Sequence, residues 1–366
     1  MRQAHAHSKA AQPFGATVAR GADARRSRRA ILLAPGQLEL RDFDPPHPGP
    51  GEVLLEVRCA LSCGTDLKAW RRGHPMWPMP TPLGHEFSGV VAEVGAEVSE
   101  FEVGDELMAA PTAPCGRCFY CGRGDENLCP QTMGKMVLGG YADYLVIAAH
   151  VVKRNAFRKP PAVPFEEAAL LDPLACVVHA HEMARPRSRE SVLILGAGAL
   201  GLLHMIVLKA GGVKQVTVAE HNPERLAWAA QFGAEVIDAA KSDPAREVAR
   251  LNGGYGPDLV IECTGQADGW REAFERVRRG GRVVFFGGCP AGTALSVDTR
   301  RMHYDNLTLL APFHFRPRDV RRAFEMLASH SFGAGAIITD RRPLADLGEI
   351  FSILERGAVL KCAVIP

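Results

Sequence analysis

The stretch Ser191-Val-Leu-Ile-Leu-Gly-Ala-Gly-Ala-Leu-Gly201 decides the fold. Its first five residues form an unbroken apolar run, the pattern of a strand buried on both faces. Gly196-Ala-Gly198-Ala-Leu200-Gly201 then reads G-x-G-x-x-G, and helical texture continues over 200–210. Glycine serves three needs at such a place: a tight turn, close backbone approach to a pyrophosphate, and close helix–sheet packing. The helix N-terminus behind it offers N–H groups and the positive end of its dipole to phosphates. Glu220 ends the next strand, 215–219. A carboxylate there accepts from both ribose hydroxyls and repels a 2′-phosphate, which favours NAD over NADP. Arg225 is a cation that could meet a 2′-phosphate, although a solvated helix position accounts for it more simply.

Working outward, strand and helix alternate. A helix is expected over 223–232, a strand over 259–262, a helix over 269–278 and a strand over 282–286. Such alternation means βαβ units and a parallel sheet. The texture changes near residue 175. Before it, short strands at 53–58, 90–94, 106–109 and 141–147 are separated by Gly and Pro turns, which predicts an irregular β-barrel-like unit. After Arg318 the chain carries an amphipathic helix over 320–329 and a short strand over 336–339. The expected organisation is a basic extension (1–29), a first unit (30–173), a dinucleotide-binding unit (174–312) and a C-terminal return to the first (313–366).

Composition sets the outer bounds. A chain of 366 residues holds two domains, three at most, and buries a sizeable core without staples. Lys and Arg number 43 against 41 Asp and Glu, a balance that excludes a protein built mainly to bind nucleic acid or acidic membranes. No apolar run approaches the length of a transmembrane helix. The segment 1–29 has seven Lys and Arg, among them Arg25, Arg26, Arg28 and Arg29, against one acid, Asp23. With almost no large apolar residues it reads as a disordered tail or the product of an upstream start, although a transit peptide shares its composition. It is set aside from the fold.

The ten cysteines carry metal chemistry. Nothing near the N-terminus has the apolar core of a secretory signal, so a reducing, cytoplasmic compartment is expected, where clustered cysteines read as metal ligands. Cys115, Cys118, Cys121 and Cys129 have the spacing C-x2-C-x2-C-x7-C. Four thiolates in one loop close a tetrahedral zinc site with no open position, which is a structural site. Compact iron–sulfur runs have other spacings. A second set is dispersed: Cys63 in Cys63-Gly64-Thr65-Asp66, and His85 and Glu86 in Gly84-His85-Glu86. Thiolate, imidazole and carboxylate together suit a catalytic zinc that keeps one position open. The sequence alone does not show that they meet.

With those pieces assembled, the chain from Ile31 to Pro366 resembles the zinc-dependent medium-chain alcohol dehydrogenases, nearest the sorbitol, polyol and threonine dehydrogenase branch. The ordered matches are Cys63-Gly-Thr-Asp66, Gly84-His-Glu86 with Gly89, Val103-Gly-Asp105, the four-cysteine lobe, Gly140-Tyr-Ala142, Asp172-Pro-Leu174, the glycine fingerprint and Leu360-Lys361. The resemblance implies a Rossmann doubly wound parallel sheet plus a GroES-like irregular β-barrel catalytic domain, an α/β protein. It implies that Cys63, His85 and Glu86 are ligands or near-ligands of a catalytic zinc and that Thr65 passes the substrate proton outward. Asp172 falls where relatives carry a glutamate; one methylene shorter, it favours contact with zinc through water. Lys68 stands where relatives carry a relay histidine, and reads either as a substrate contact or as a solvated loop lysine. Phe313-His314-Phe315 stands where sorbitol relatives grip the polyol with Arg-Tyr.

The activity so implied is oxidation of a secondary alcohol (polyol, cyclitol, sugar or amino alcohol) to a ketone, with reversible hydride transfer to NAD and two zinc ions per chain. The implied partners are a small-molecule alcohol or ketone and a second or further copies of the chain, as homodimer or homotetramer, with no nucleic acid and no membrane. The alternatives are a zinc-independent enone or quinone reductase of the same fold, or a non-catalytic NAD-binding module.

Overall fold

The computed structural model describes residues 27–329 and 333–366. The expected tail lies outside them as far as residue 26. Its last residues do not: a strand opens at Arg28 (Arg28–Ala34), so the ordered chain begins inside the segment set aside.

Six parallel strands form one sheet, in the order Glu235–Asp238, Gln215–Glu220, Ser191–Leu195, Leu259–Glu262, Arg282–Phe285, Thr308–Leu310. All five residues of the central strand, Ser191–Leu195, are buried, as its apolar run requires. Chain order reverses on either side of that strand, and a ligand crevice opens at such a switch point. The glycine turn stands there. Gly196 has φ +100°, and a Cβ on Gly201 would lie 2.0 Å from the Gly196 carbonyl oxygen. Helix Ala199–Ala210 therefore leaves the strand through a turn that only glycine can make.

The second unit is a seven-stranded, mostly antiparallel sheet. Its path runs Ile338–Pro343, Lys361–Ile365, Val53–Leu61, Phe87–Val94, Glu106–Ala109, Ala156–Arg158, and Tyr144–Ile147 also pairs with Val53–Leu61. The chain's last strand lies antiparallel to Val53–Leu61, with Ala363 opposite Leu61. The C-terminal return is thus a strand of the first unit's own sheet. Arg28–Ala34, Gln37–Asp42 and Thr81–Pro82 make a small third sheet.

Helix Leu171–Ala184 joins the two units and runs across position 173. It packs on Ala199–Ala210 and on Pro317–Ala328. One buried apolar cluster runs from Leu61 and Met108 through Leu174 and Val178 to Ile194 and Val284. Among the described residues, no helix is long and apolar enough to cross a membrane.

Two differences from the sequence reading are local. Of the strand expected at 336–339, residues 336 and 337 close a single turn of 3-10 helix, Ala334–Ile337, entered through Gly333 at φ +71°, and residues 338 and 339 open the strand Ile338–Pro343. Glu235–Asp238, Pro244–Leu251 and Thr308–Leu310 were not foreseen. Both strands are short edge strands, too short to show a period.

Gly201→Ala should destabilise the chain by about 1–3 kcal/mol, the cost of forcing atoms into filled space. It should also weaken dinucleotide binding. Chemical denaturation and a nucleotide titration check both; an unchanged midpoint with unchanged affinity would contradict this account of the turn.

Candidate active site and metal centres

Cys63 sits at the N-cap of helix Gly64–Arg72, and its Sγ accepts from the Thr65 amide at 3.5 Å. His85 and Glu86 lie between Gly84, at φ +91°, and strand Phe87–Val94. Asp172 lies in the first turn of Leu171–Ala184. Three separate segments therefore converge. The ligand atoms of Cys63, Asp66 and His85 lie within 4.8 Å of one another, and so do those of His85, Glu86 and Asp172. The two groups share His85.

Two residues organise this cluster beyond the set picked out from sequence. Asp66 is fully buried and takes three donors: the His85 Nδ1–H at 3.3 Å, the Gly84 amide at 3.2 Å and the Tyr141 hydroxyl at 3.0 Å. With Nδ1 so engaged, Nε2 is the His85 nitrogen left to bind a metal. Lys361, from the last strand, donates to Glu86 at 2.5 Å and to the Ser62 carbonyl at 3.1 Å. Glu86 and Lys361 are 1% and 3% exposed, so each neutralises a charge the other could not carry alone. Asp66 and Lys361 lay within motifs already noted, but spacing gave no sign that one reaches His85 and the other Glu86.

The electrostatics show a site short of positive charge. Burial, with Glu86 also raising it, pushes the Asp172 carboxyl up to about 7, although His85 and Lys361 pull the other way. Burial disfavours a charged His85, yet Asp66 and Cys63 outweigh it and hold its pKa well above the ordinary value. Sulfur, imidazole nitrogen and carboxylate oxygen in one buried cleft are the donor set of zinc, and they fit it.

The four-cysteine loop fits a second ion. Cys115, Cys118, Cys121 and Cys129 present all four Sγ atoms within 4.8 Å of one another. Cys118 and Cys121 are 3.4 Å apart, and the Cys115 amide donates to Cys129 at 3.4 Å. Burial disfavours a Cys129 thiolate, but amides of Cys115 and Gln131 outweigh it and draw its pKa down to about 6. Burial and the Cys118 thiol push Cys121 up to about 12. Neighbouring thiols so divided cannot all ionise without a cation among them.

At the glycine turn, Glu220 is held by three amides. Oε2 accepts from Ala197 at 3.0 Å, and Oε1 from His221 at 2.7 Å and Asn222 at 3.0 Å. The bond to Ala197, which stands between Gly196 and Gly198 and ahead of Leu200, fixes its carboxylate against the glycine turn. Arg225 is half-buried with a guanidinium nitrogen 3.8 Å from Glu220, and its Nε has no partner among the described residues.

Comparison with known proteins shows the family. Residues 49–156 match the alcohol dehydrogenase GroES-like domain and residues 199–329 the zinc-binding dehydrogenase family. Human sorbitol dehydrogenase is 31% identical over 341 residues, covering 90% of this chain and 93% of that one. The L-threonine 3-dehydrogenase of Pyrococcus abyssi is 36% identical over 268 residues, 71% of this chain and 75% of that one. A structure from Sinorhizobium meliloti 1021 bound to NADP superposes with a TM-score of 0.85 at 28% identity, covering 93% of this chain and all of that one. The chain belongs to the zinc-dependent medium-chain alcohol dehydrogenases. It is an oxidoreductase that uses zinc and a nicotinamide cofactor on an alcohol substrate.

The remaining candidates in this alcohol dehydrogenase are Thr65, Lys68 and the segment Phe313-His314-Phe315. Thr65 is half-buried on the first turn of Gly64–Arg72, and Lys68 is exposed one turn on. The charge of Lys68 is felt at Cys289, on the loop that follows Arg282–Phe285. His314 has φ +59°, lies 2.6 Å by Nε2 from the Thr112 hydroxyl and stacks on Phe315 at 3.8 Å. Burial first, then the charges of His85 and His179, lower its pKa to about 3. The His314 imidazole is therefore held neutral.

Lys361→Met strands the Glu86 carboxylate without a partner. Removing one member of a buried pair costs about 3–5 kcal/mol, so chemical denaturation should show a loss of that size. A loss below about 1 kcal/mol, the scale of a surface pair, would contradict the account.

Proposed function

We propose that this dehydrogenase oxidises a secondary alcohol bearing further polar groups (a polyol, cyclitol, sugar or amino alcohol) to a ketone, reversibly, with NAD as the hydride acceptor. The observation that carries it is that Cys63, with Asp66, and Asp172, with Glu86, each bring a ligand atom within 4.8 Å of the buried His85, in a chain whose nucleotide turn is fronted by Glu220. Cys63, His85 and Asp172 would hold a catalytic zinc. Cys115, Cys118, Cys121 and Cys129 would hold a structural one. Asp172 lies within reach of His85 and Glu86, and its short side chain favours contact with that zinc through water. Glu86, tied to Lys361, balances the site as a near-ligand. Zinc bound there supplies a Lewis acid that makes a substrate hydroxyl easier to deprotonate.

The chain's own groups do the rest. Thr65 takes the hydroxyl proton and passes it outward. Lys68, at the cleft edge, meets polar groups of the substrate. Gly196, Gly198, Leu200 and Gly201 seat the pyrophosphate on the helix N-terminus. Glu220 accepts from the ribose hydroxyls, and Arg225 serves it as a flanking cation. The unpaired cysteines support a reducing, cytoplasmic setting. The family resemblance supports a homodimer or homotetramer.

A panel of secondary alcohols followed by NADH absorbance tests the reading. Protein purified without chelator should hold about two zinc ions per chain, one for each donor set. Cys63→Ser should hold about one, bind NADH and turn over no alcohol. Turnover at the wild-type rate by Cys63→Ser would overturn the assignment.

Glu220→Arg should shift kcat/KM from NAD toward NADP by roughly ten- to a hundredfold, the value of about 1.5–3 kcal/mol in a hydrogen bond to a charged group. An unaltered preference would remove Glu220 from the cofactor site.

A further inference from the structure

Tyr141 belongs to the metal cleft, yet nothing in the reaction needs a phenol there. Its side chain is fully buried and its ring meets Phe351 edge-on, with centroids 6.2 Å apart. Its hydroxyl lies 3.0 Å from Asp66 Oδ2 and 3.0 Å from the Leu61 carbonyl. A phenol has one proton to give, and a bond to a carboxylate is the stronger, being charge-assisted. Asp66 Oδ1 in turn receives the His85 Nδ1–H and the Gly84 amide. The carboxylate is thus pinned at one oxygen by Tyr141 and uses the other to orient the imidazole. Burial, with Asp66 beside it, raises the Tyr141 pKa well above its usual value, so the phenol keeps its proton.

The backbone repeats the arrangement. The Tyr141 amide donates to the Leu83 carbonyl at 3.1 Å, and the amides of Gly139 and Gly140 both donate to the Gly84 carbonyl at 2.9 Å. A Cβ on Gly84 would lie 2.6 Å from the Tyr141 nitrogen. The loop that carries His85 therefore rests directly on the 139–141 segment. A phenylalanine at 141 would satisfy every packing contact and every backbone bond. Only the hydroxyl bond would be lost.

We propose that Tyr141 is a positioning residue for the catalytic metal, its hydroxyl fixing Asp66 and, through Asp66, the ring of His85. This rests on the reading of Cys63, His85 and Asp172 as a zinc site. Outer partners of metal-bound histidines change metal affinity by about 10–100-fold when removed. Tyr141 stands one bond further out and belongs at the lower end of that range.

The test is zinc release from full-length holoprotein to the chromogenic chelator 4-(2-pyridylazo)resorcinol, with thermal melting alongside. Wild type should release zinc in two phases, and the phase missing from Cys63→Ser is the catalytic one. Tyr141→Phe should speed that phase about tenfold, leave the four-cysteine phase unchanged and melt close to wild type. In an Asp66→Asn background the same substitution should add nothing, because the two act in series. An unchanged catalytic phase in Tyr141→Phe, independent effects that multiply, or both phases accelerated together would each overturn the proposal. Wild type with no phase that Cys63→Ser lacks would overturn the zinc reading itself, a different failure.

Discussion

Too many negative groups lie out of water in one place. Asp66, Glu86 and Asp172 are all buried around His85, with the Cys63 thiol at the rim. A buried carboxylate persists only if it is paired, hydrogen-bonded or protonated. Asp66 meets this through three donors and Glu86 through Lys361. Asp172 is left without comparable support, and its high pKa expresses the deficit. The divalent cation proposed beside His85 would supply what is missing. The Glu86 pair in turn depends on the chain's topology. Lys361 reaches Glu86 only because the last strand returns and pairs with Val53–Leu61. The fold closes on itself to deliver one ammonium group.

The metal cleft and the cofactor turn are held in fixed relation by two helices. Leu171–Ala184 carries Asp172 in its first turn and packs on Ala199–Ala210, which begins in the glycine fingerprint. Leu174 and Val178 on the first helix share one apolar cluster with Ile194 of the central strand. A hydride donor and its acceptor must meet within about 3–3.5 Å. A close-packed helix pair transmits position with little slack, since cores are dense and resist compression. The apolar cluster between the units is thus part of the reaction geometry as well as of stability.

Local signals in the sequence were those with a local cause. The apolar run at 191–195 was legible because burial on both faces leaves no polar residue, and the strand is found at those limits. The four-cysteine lobe was legible because its ligands are neighbours in the chain. The approach of Cys63 and Asp172 to His85 from either side was not, because it depends on three segments far apart in sequence, and the family resemblance supplied that step. Lys361 is the extreme case: it pairs with Glu86 across 275 positions. Thr308–Leu310 shows no pattern in three residues, and only pairing with Arg282–Phe285 makes it a strand. Asp66 was in view within Cys63-Gly-Thr-Asp66, but its role is set by where His85 arrives.

The four-cysteine lobe has little apolar matter of its own. Phe119 is 71% exposed and Leu128 46%, while Cys129 is buried. A loop so poor in core would gain its shape from the metal proposed for its four thiols. That shape also matters at the cleft. Asn127, between Glu126 and Leu128 in the lobe, donates to the Phe313 carbonyl at 3.0 Å. The next residue, His314, is held in a left-handed backbone conformation with its ring against the Thr112 hydroxyl. Asn155 donates to the Thr112 carbonyl at 2.6 Å and anchors that partner too. A β-carbon-bearing residue at positive φ is unfavourable unless its surroundings over-determine it. Here the lobe supplies one of the bonds that do so. The four-cysteine lobe and the wall at His314 are therefore two ends of one short chain of contacts, and loss of order in the lobe would be felt at His314.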